Sequence, residues 1–389
     1  MTRHGFETQL KMYVQSLSGK SQWDWPVSID DWRAQAREKL ADGPWGYVEG
    51  GAGAEQTMRN NRAAFDRWQI RPRMLRNVDD RDLTIELFGK TYPTPFLLAP
   101  IGVQSIIHPD AESASAKAAA AQRIPFITST VSSVDLETLA RETEGAERWF
   151  QLYPGRDPDV VSSFIRRAET VGYAAIVVTV DTTMLGWRER DLSNLYLPFL
   201  FGEGIANFLT DPAFCARLQQ PPADNQFAAV QEFLSIYVNP AFTWDDLAKI
   251  RRQTKLPLLV KGLTHVEDVQ LAMRLGADGV VLSNHGGRQV DGAVASLDAL
   301  VDVRREIGPD YPVLLDSGIR HAADVFKAMA LGANAVLIGR PYAYALAVGG
   351  QAGVQELLGQ WTAELDLQLA LSGYNSIRDI DASCVKRLQ

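Results

Sequence analysis

From residue 95 onward the apolar positions come in short, nearly unbroken runs at regular spacing: FLLAPIGV (96–103), PFITST (125–130), RWFQLYP (148–154), AAIVVTVDT (174–182), LPLLVKG (256–262), DGVVLSN (278–284), PVLLDSG (312–318) and AVLIGRP (335–341). Such runs, rich in β-branched residues, suit strands that are buried on both faces. Between them the pattern turns to Ala, Glu, Arg and Leu and predicts helices, for example over 110–122, 157–171, 264–275, 296–307 and 321–331. Asp157–Pro158 and Ser296 supply capping signals at two of the helix starts. The repeated LGAD (275–278) and LGAN (331–334) read as helix-to-strand turns with glycine at the C-cap. Eight alternating β/α units predict an α/β chain folded as a TIM (β/α)8 barrel over 91–375. A doubly wound open sheet has no reason to give eight.

Two regions break the pattern. Residues 1–90 read as helical and then irregular, and are expected to form an N-terminal cap over one end of the barrel. Residues 189–243 interrupt the fourth and fifth units with a long, aromatic stretch punctuated by proline and glycine. An excursion of this length in a compact domain is usually functional or disordered. It is read as a lid after strand four; the plainer alternative is a surface or subunit contact. The whole chain of 389 residues is read as one domain.

Chemistry in a TIM barrel sits at the C-terminal ends of the strands. In order, those ends carry Gly102, Ser129, Gln151 with Tyr153, Thr179 with Asp181, Lys261, His285 with Arg288, Asp316 with Gly318 and Arg320, and Gly339 with Arg340. A lone histidine is more often a satisfied polar residue than a base, and Lys261 alone could be a surface charge. Seven strand ends carrying polar groups together are not explained that way. DSGIR (316–320) and IGRP (338–341) follow strands seven and eight, the usual phosphate position of this fold. Their glycines let backbone approach an anion, and arginine forks match phosphate oxygens. Ser129, Gln151 and Thr179 offer neutral donors and acceptors suited to a flavin ring, and Lys261 a positive charge where a reduced ring becomes anionic.

Composition narrows the field. The formal net charge is −8, which argues against a nucleic-acid partner. Hydrophobic residues make up 46% of the chain, enough for a sizeable core, yet no apolar run reaches the roughly 18 residues of a membrane span. The opening stretch MTRHGFETQLKMYV lacks the apolar core of a signal peptide. Only Cys215 and Cys384 occur, so neither a disulfide framework nor a metal site is expected, and a cytoplasmic location is the simpler reading.

SNHGGRQ (283–289), VKG (260–262), TVDT (179–182), FQLY (150–153), DSGIR and IGRP, in one chain, resemble the FMN-dependent 2-hydroxy-acid oxidases and dehydrogenases, over about residues 30–380. APIGV (99–103), GWRERD (186–191), the excursion and DSGIR look closest to the lactate 2-monooxygenase branch. The resemblance implies FMN as cofactor, held by Pro100, Ile101, Gly102, Ser129, Gln151, Thr179, Lys261, Ser283, Asp316, Gly318, Arg320, Gly339 and Arg340. It implies His285 as base, Asp181 as the partner that raises its affinity for a proton, and Tyr153 with its hydroxyl at the substrate oxygen. Arg288, Arg188 and Tyr47 would bind the substrate carboxylate. Many family members carry alanine where this chain has Gly102; the glycine either opens space for oxygen chemistry or serves packing.

The implied activity is oxidation of a small L-2-hydroxy acid, L-lactate first, with O2 as acceptor, giving acetate, CO2 and water. The alternatives are an oxidase releasing keto acid and hydrogen peroxide, a quinone-linked dehydrogenase, an FMN-dependent isomerase and a flavin-free scaffold. LPFLFGEGIANFL (197–209) is interrupted by Gly, Glu and Asn, which disfavours a membrane-bound dehydrogenase. Hydride and carbanion routes both remain open, since His285 serves either. The family's habit implies a homotetramer or homooctamer.

Overall fold

The computed structural model describes residues 4–388. Eight parallel strands close into a barrel: β1 (Phe96–Leu98), β2 (Phe126–Ser129), β3 (Arg148–Leu152), β4 (Ile176–Thr179), β5 (Leu258–Leu263), β6 (Gly279–Leu282), β7 (Val313–Leu315) and β8 (Ala335–Ile338). They follow chain order around the ring, and β8 closes onto β1 through Val336–Phe96, Leu337–Leu97 and Ile338–Leu98. Except at Gly262, every strand residue is buried, because helices cover the outside and side chains fill the inside. All eight predicted strands fall on barrel strands, shortened at their ends.

The helices Ala111–Ala121, Pro158–Thr170, Val266–Arg274, Ser296–Ile307 and Ala322–Ala330 lie within a residue or two of the predicted spans. Asp157 caps its helix by accepting from the N–H groups of Asp159 and Val160. Ser296 does not cap. Ala295 occupies that position, and the Ser296 hydroxyl is buried without a partner. Gly276 and Gly332 follow their C-caps at φ 80° and 102°, a conformation that costs glycine little.

The N-terminal region does not cap one end; it serves both. The hairpin Ile85–Leu87/Lys90–Tyr92 turns through Phe88 and Gly89, both at positive φ. It places the Phe88 ring 5.8 Å from Trp149 at the start of β3, closing the N-terminal end of the barrel. The helices Asp42–Glu49 and Gln56–Asp66 sit at the opposite, C-terminal end. There Asn61 and Asn284 exchange amide hydrogen bonds of 2.8 and 2.7 Å.

The excursion between β4 and β5 is neither a disordered loop nor wholly a lid. It holds the helices Glu189–Ser193, Ala206–Leu209, Pro212–Cys215 and Gln226–Tyr237. Its aromatic core packs Phe208 edge to face with Phe164, Phe214 and Phe233 at 4.9, 5.5 and 4.8 Å. Arg167, on the outer barrel helix, pins it by hydrogen bonds to Asp211, the Asn207 carbonyl and Thr210. Asp211 is fully buried and caps Pro212–Cys215, so this part packs on the barrel wall. From the excursion Phe199 and Tyr237 reach the barrel mouth, beside Thr182, Leu185 and Arg188 on the segment that precedes it. No helix among the described residues is long and apolar enough to cross a membrane.

Candidate active site

Strand register joins the polar strand ends into one network. Parallel pairing sets Ser129 beside Gln151 and Thr179 beside Lys261. Ser129 Oγ donates to Gln151 Oε1 at 3.0 Å, and the Gln151 amide donates to Thr179 Oγ1 at 3.0 Å. Lys261 Nζ donates to Ser283 Oγ at 3.0 Å and lies 3.3 Å from Asp316 Oδ2. All six side chains are buried. Burial disfavours the Lys261 ammonium, but the carboxylates of Asp316 and Asp181 outweigh it and hold its proton affinity above the ordinary lysine value.

After β6 the chain turns through three consecutive left-handed residues, His285, Gly286 and Gly287, at φ 57°, 65° and 76°. For a histidine this backbone is uncommon. It is held by His285 N–H to Ser283 Oγ (3.0 Å), Gly286 N–H to Ser317 Oγ (2.9 Å) and Gly287 N–H to Asn284 Oδ1 (3.1 Å). A Cβ on Gly287 would stand 2.8 Å from the backbone nitrogen of Met58, so only glycine fits. The turn presents His285 Nδ1 to Asp181 Oδ1 at 2.8 Å and to Thr182 Oγ1 at 3.2 Å. An ionised carboxylate only accepts, so Nδ1 carries the proton and Nε2 is the basic nitrogen. Burial raises a carboxyl, but the charges of His285 and Lys261 bring Asp181 down to about 2.

The expected net rise in the histidine's proton affinity does not occur. Burial lowers it and Lys261 lowers it further, and together they exceed the opposing pull of Asp181. How dry the site is depends on the closed barrel and cannot be read from residue order.

Four arginines line the same cavity, with Tyr47, Pro100, Ile101, Gly102, Tyr153, Lys261, His285, Asp316, Gly318 and Gly339. Arg288 donates to the carbonyls of Tyr47 and Gly50, and its guanidinium lies 4.8 Å over the Tyr47 ring. Burial, then the neighbouring charge of Arg188, pushes its pKa down to about 9, against a weaker opposing pull from Asp191. Arg188 donates to the Arg288 carbonyl (3.1 Å) and to Gln289 Oε1 (3.0 Å). Arg340 spends its guanidinium on the carbonyls of Val48, Gly286 and Gly50, stapling the N-terminal helices to the His285 turn. The Arg320 guanidinium donates to the carbonyl of Ile319 and forms no ion pair among the described residues, while its backbone N–H donates to Asp324 Oδ2 at 2.9 Å.

Comparison with known proteins decides the family. The FMN-dependent dehydrogenase family matches residues 36–387. An L-lactate oxidase of Lysinibacillus sphaericus is 43% identical over 360 residues, 92% of each chain. An L-lactate oxidase of Nostoc sp. is 40% identical over 362 residues, 92% of this chain and 97% of the relative. This chain belongs to the FMN-dependent 2-hydroxy-acid oxidase and dehydrogenase family. Its fold agrees: a crystal structure of mandelate oxidase superposes with a TM-score of 0.82 at 37% identity, covering 93% of this chain and 98% of the other. The cofactor of the family is FMN, and the residues present fit it. The Arg320 guanidinium lines the cavity with no ion-pair partner among the described residues, Gly339 has nothing within 4 Å of where a Cβ would stand, and the buried Lys261 lines the same cavity.

The structure adds residues of this flavoprotein site that motif reading missed. Thr182 bonds both Asp181 and His285. Val131, Leu185, Phe199 and Tyr237 give the cavity its apolar wall, with the Tyr153 and Tyr237 rings 5.5 Å apart, edge to face. Tyr237 ends a helix of the excursion, and no motif marks it. At Gly102 a Cβ would meet the Val131 carbonyl at 2.5 Å, so packing against the loop after β2 already requires glycine there.

Proposed function

We propose that the protein oxidises a small L-2-hydroxy acid, L-lactate first, with O2 as acceptor, and that it is a lactate 2-monooxygenase yielding acetate, CO2 and water. The observation that carries the oxidation is the His285–Asp181 pair standing in one cavity with Arg288 and Arg188. A 2-hydroxy acid needs cations for its carboxylate and a base for one proton; an isomerase working through the phosphate end alone has no use for this set.

FMN, when bound, supplies the two-electron acceptor, with Lys261, Arg320, the backbone of 99–102 and the polar strand ends holding it. Arg288 and Arg188 bind the carboxylate, Arg288 being held in place by two carbonyls and the Tyr47 ring. His285 Nε2 takes a proton, and Asp181 stabilises the imidazolium that results. Tyr153, half-buried and with its hydroxyl pushed up to about 12 chiefly by desolvation, stays protonated and can donate to the substrate oxygen. The Phe199 and Tyr237 wall excludes water.

Decarboxylation of the keto acid requires that it stay beside the peroxide formed from O2. The wall that Phe199 and Tyr237 of the excursion raise at the mouth supports that reading. A second reading, an oxidase releasing pyruvate and hydrogen peroxide, is favoured by the two L-lactate oxidases among its relatives. Aerobic incubation of the FMN-loaded protein with L-lactate, followed by product analysis, tests both. Acetate with CO2 is expected. Pyruvate with peroxide would transfer the assignment to the oxidase, and a flavin that no 2-hydroxy acid reduces would overturn the reading.

A further inference from the structure

Gln289 closes the SNHGGRQ stretch and has no part in the chemistry above. Its side-chain amide nonetheless uses its whole hydrogen-bonding capacity. Nε2 donates to the carbonyls of Asp181 (2.7 Å) and Met184 (2.9 Å), and Oε1 accepts from Arg188 Nη2 (3.0 Å) and the Gly186 N–H (3.4 Å). All four partners lie on the segment 181–188 that leaves β4, whereas Gln289 follows β6. A second observation shows how closely the two segments meet. A Cβ on Gly186 would stand 2.5 Å from the Arg288 carbonyl and 2.8 Å from that of Gln289, so the backbones touch.

We propose that Gln289 is a positioning residue: one amide clamps the loop after β4 to the His285 turn and so sets Arg188 and Asp181 relative to His285 and Arg288. The inference rests on reading Arg188 as a ligand of the substrate carboxylate. The amide is needed as such. A glutamate keeps the acceptor for Arg188 but, ionised, turns an oxygen toward two carbonyls that require donors. A methionine fills the same length and makes none of the four bonds.

The test compares wild type, Gln289→Met and Gln289→Glu as FMN-loaded proteins. Amide hydrogen exchange over 182–188 reads the clamp directly, because protection there reports local opening. Oxalate affinity, followed by the change in flavin absorbance, reads Arg188. Both variants are expected to retain FMN, to exchange faster over 182–188 and to bind oxalate about tenfold more weakly, the scale of one lost hydrogen bond to a charged group. The KM for L-lactate should rise more than the limiting rate of flavin reduction falls. Unchanged exchange over 182–188, or oxalate affinity within about twofold of wild type, in both variants would overturn the proposal. A wild type that neither binds oxalate nor is reduced by L-lactate would instead sink the substrate reading, and the exchange comparison would still judge the clamp.

Discussion

His285 Nδ1 lies 2.8 Å from Asp181 Oδ1, although the two residues are 104 positions apart and leave different strands. The pair orients the ring, but burial and Lys261 still hold the imidazole's proton affinity below the ordinary value of 6.5. At neutral pH the ring is therefore neutral and ready to accept a proton. The sign of the pH dependence follows. Flavin reduction by L-lactate should rise with pH through a value below 6.5 and be flat across neutrality. The unfolded chain binds a proton here that the folded chain refuses, so the residue's contribution to stability is also lost as pH falls below 6.5. His285→Gln should remove this acid limb and slow reduction by roughly 10²–10⁴-fold while leaving FMN bound. Anaerobic stopped-flow traces across the acid and neutral range check both; a limb above 6.5 would contradict the burial argument.

Arg288→Lys keeps the charge but cannot reach the Tyr47 and Gly50 carbonyls, lie over the Tyr47 ring and face a carboxylate at once. Oxalate binding is expected to weaken by about 1.5–3 kcal/mol, the worth of a hydrogen bond to a charged group. A flavin titration measures it. Unchanged affinity would mean that the carboxylate is held elsewhere in the cavity.

Asn207 is the point to press on the excursion. Fully buried, it donates to the carbonyls of Ser129 (3.1 Å) and Thr130 (3.0 Å) and accepts from the Leu136 N–H (2.9 Å), tying the excursion to the end of β2. Asn207→Ala leaves these groups unpaired and should destabilise the protein by about 1–3 kcal/mol. If docking of the excursion retains the keto acid, products should shift from acetate toward pyruvate and peroxide while flavin reduction persists. The product ratio of the folded variant decides. Shortening 211–225 would be a poor substitute, because Asp211 is pinned by Arg167 on the barrel wall, away from the mouth.

Much was legible in the chain alone, for a physical reason. A barrel strand buried on both faces must be apolar along its length, so the eight strands stand out wherever they pair. The strand-end chemistry was legible too, because the fold delivers every strand's C-terminal end to one face. That His285, Arg288, Lys261, Arg320 and the glycines of the last two loops would share one cavity could therefore be read from order alone.

Other features belong to the tertiary structure, because they depend on which atoms end up adjacent. The split of the N-terminal region between both barrel ends depends on where Phe88 finds an apolar opening and where Asn61 meets Asn284. The excursion's aromatics read as a lid in sequence, but in space most of them pack on one another and on Phe164. Proton affinity is the plainest case. Sequence supplies a histidine and a carboxylate, whereas the net direction comes from desolvation and from Lys261, quantities set by the closed barrel and not by spacing along the chain.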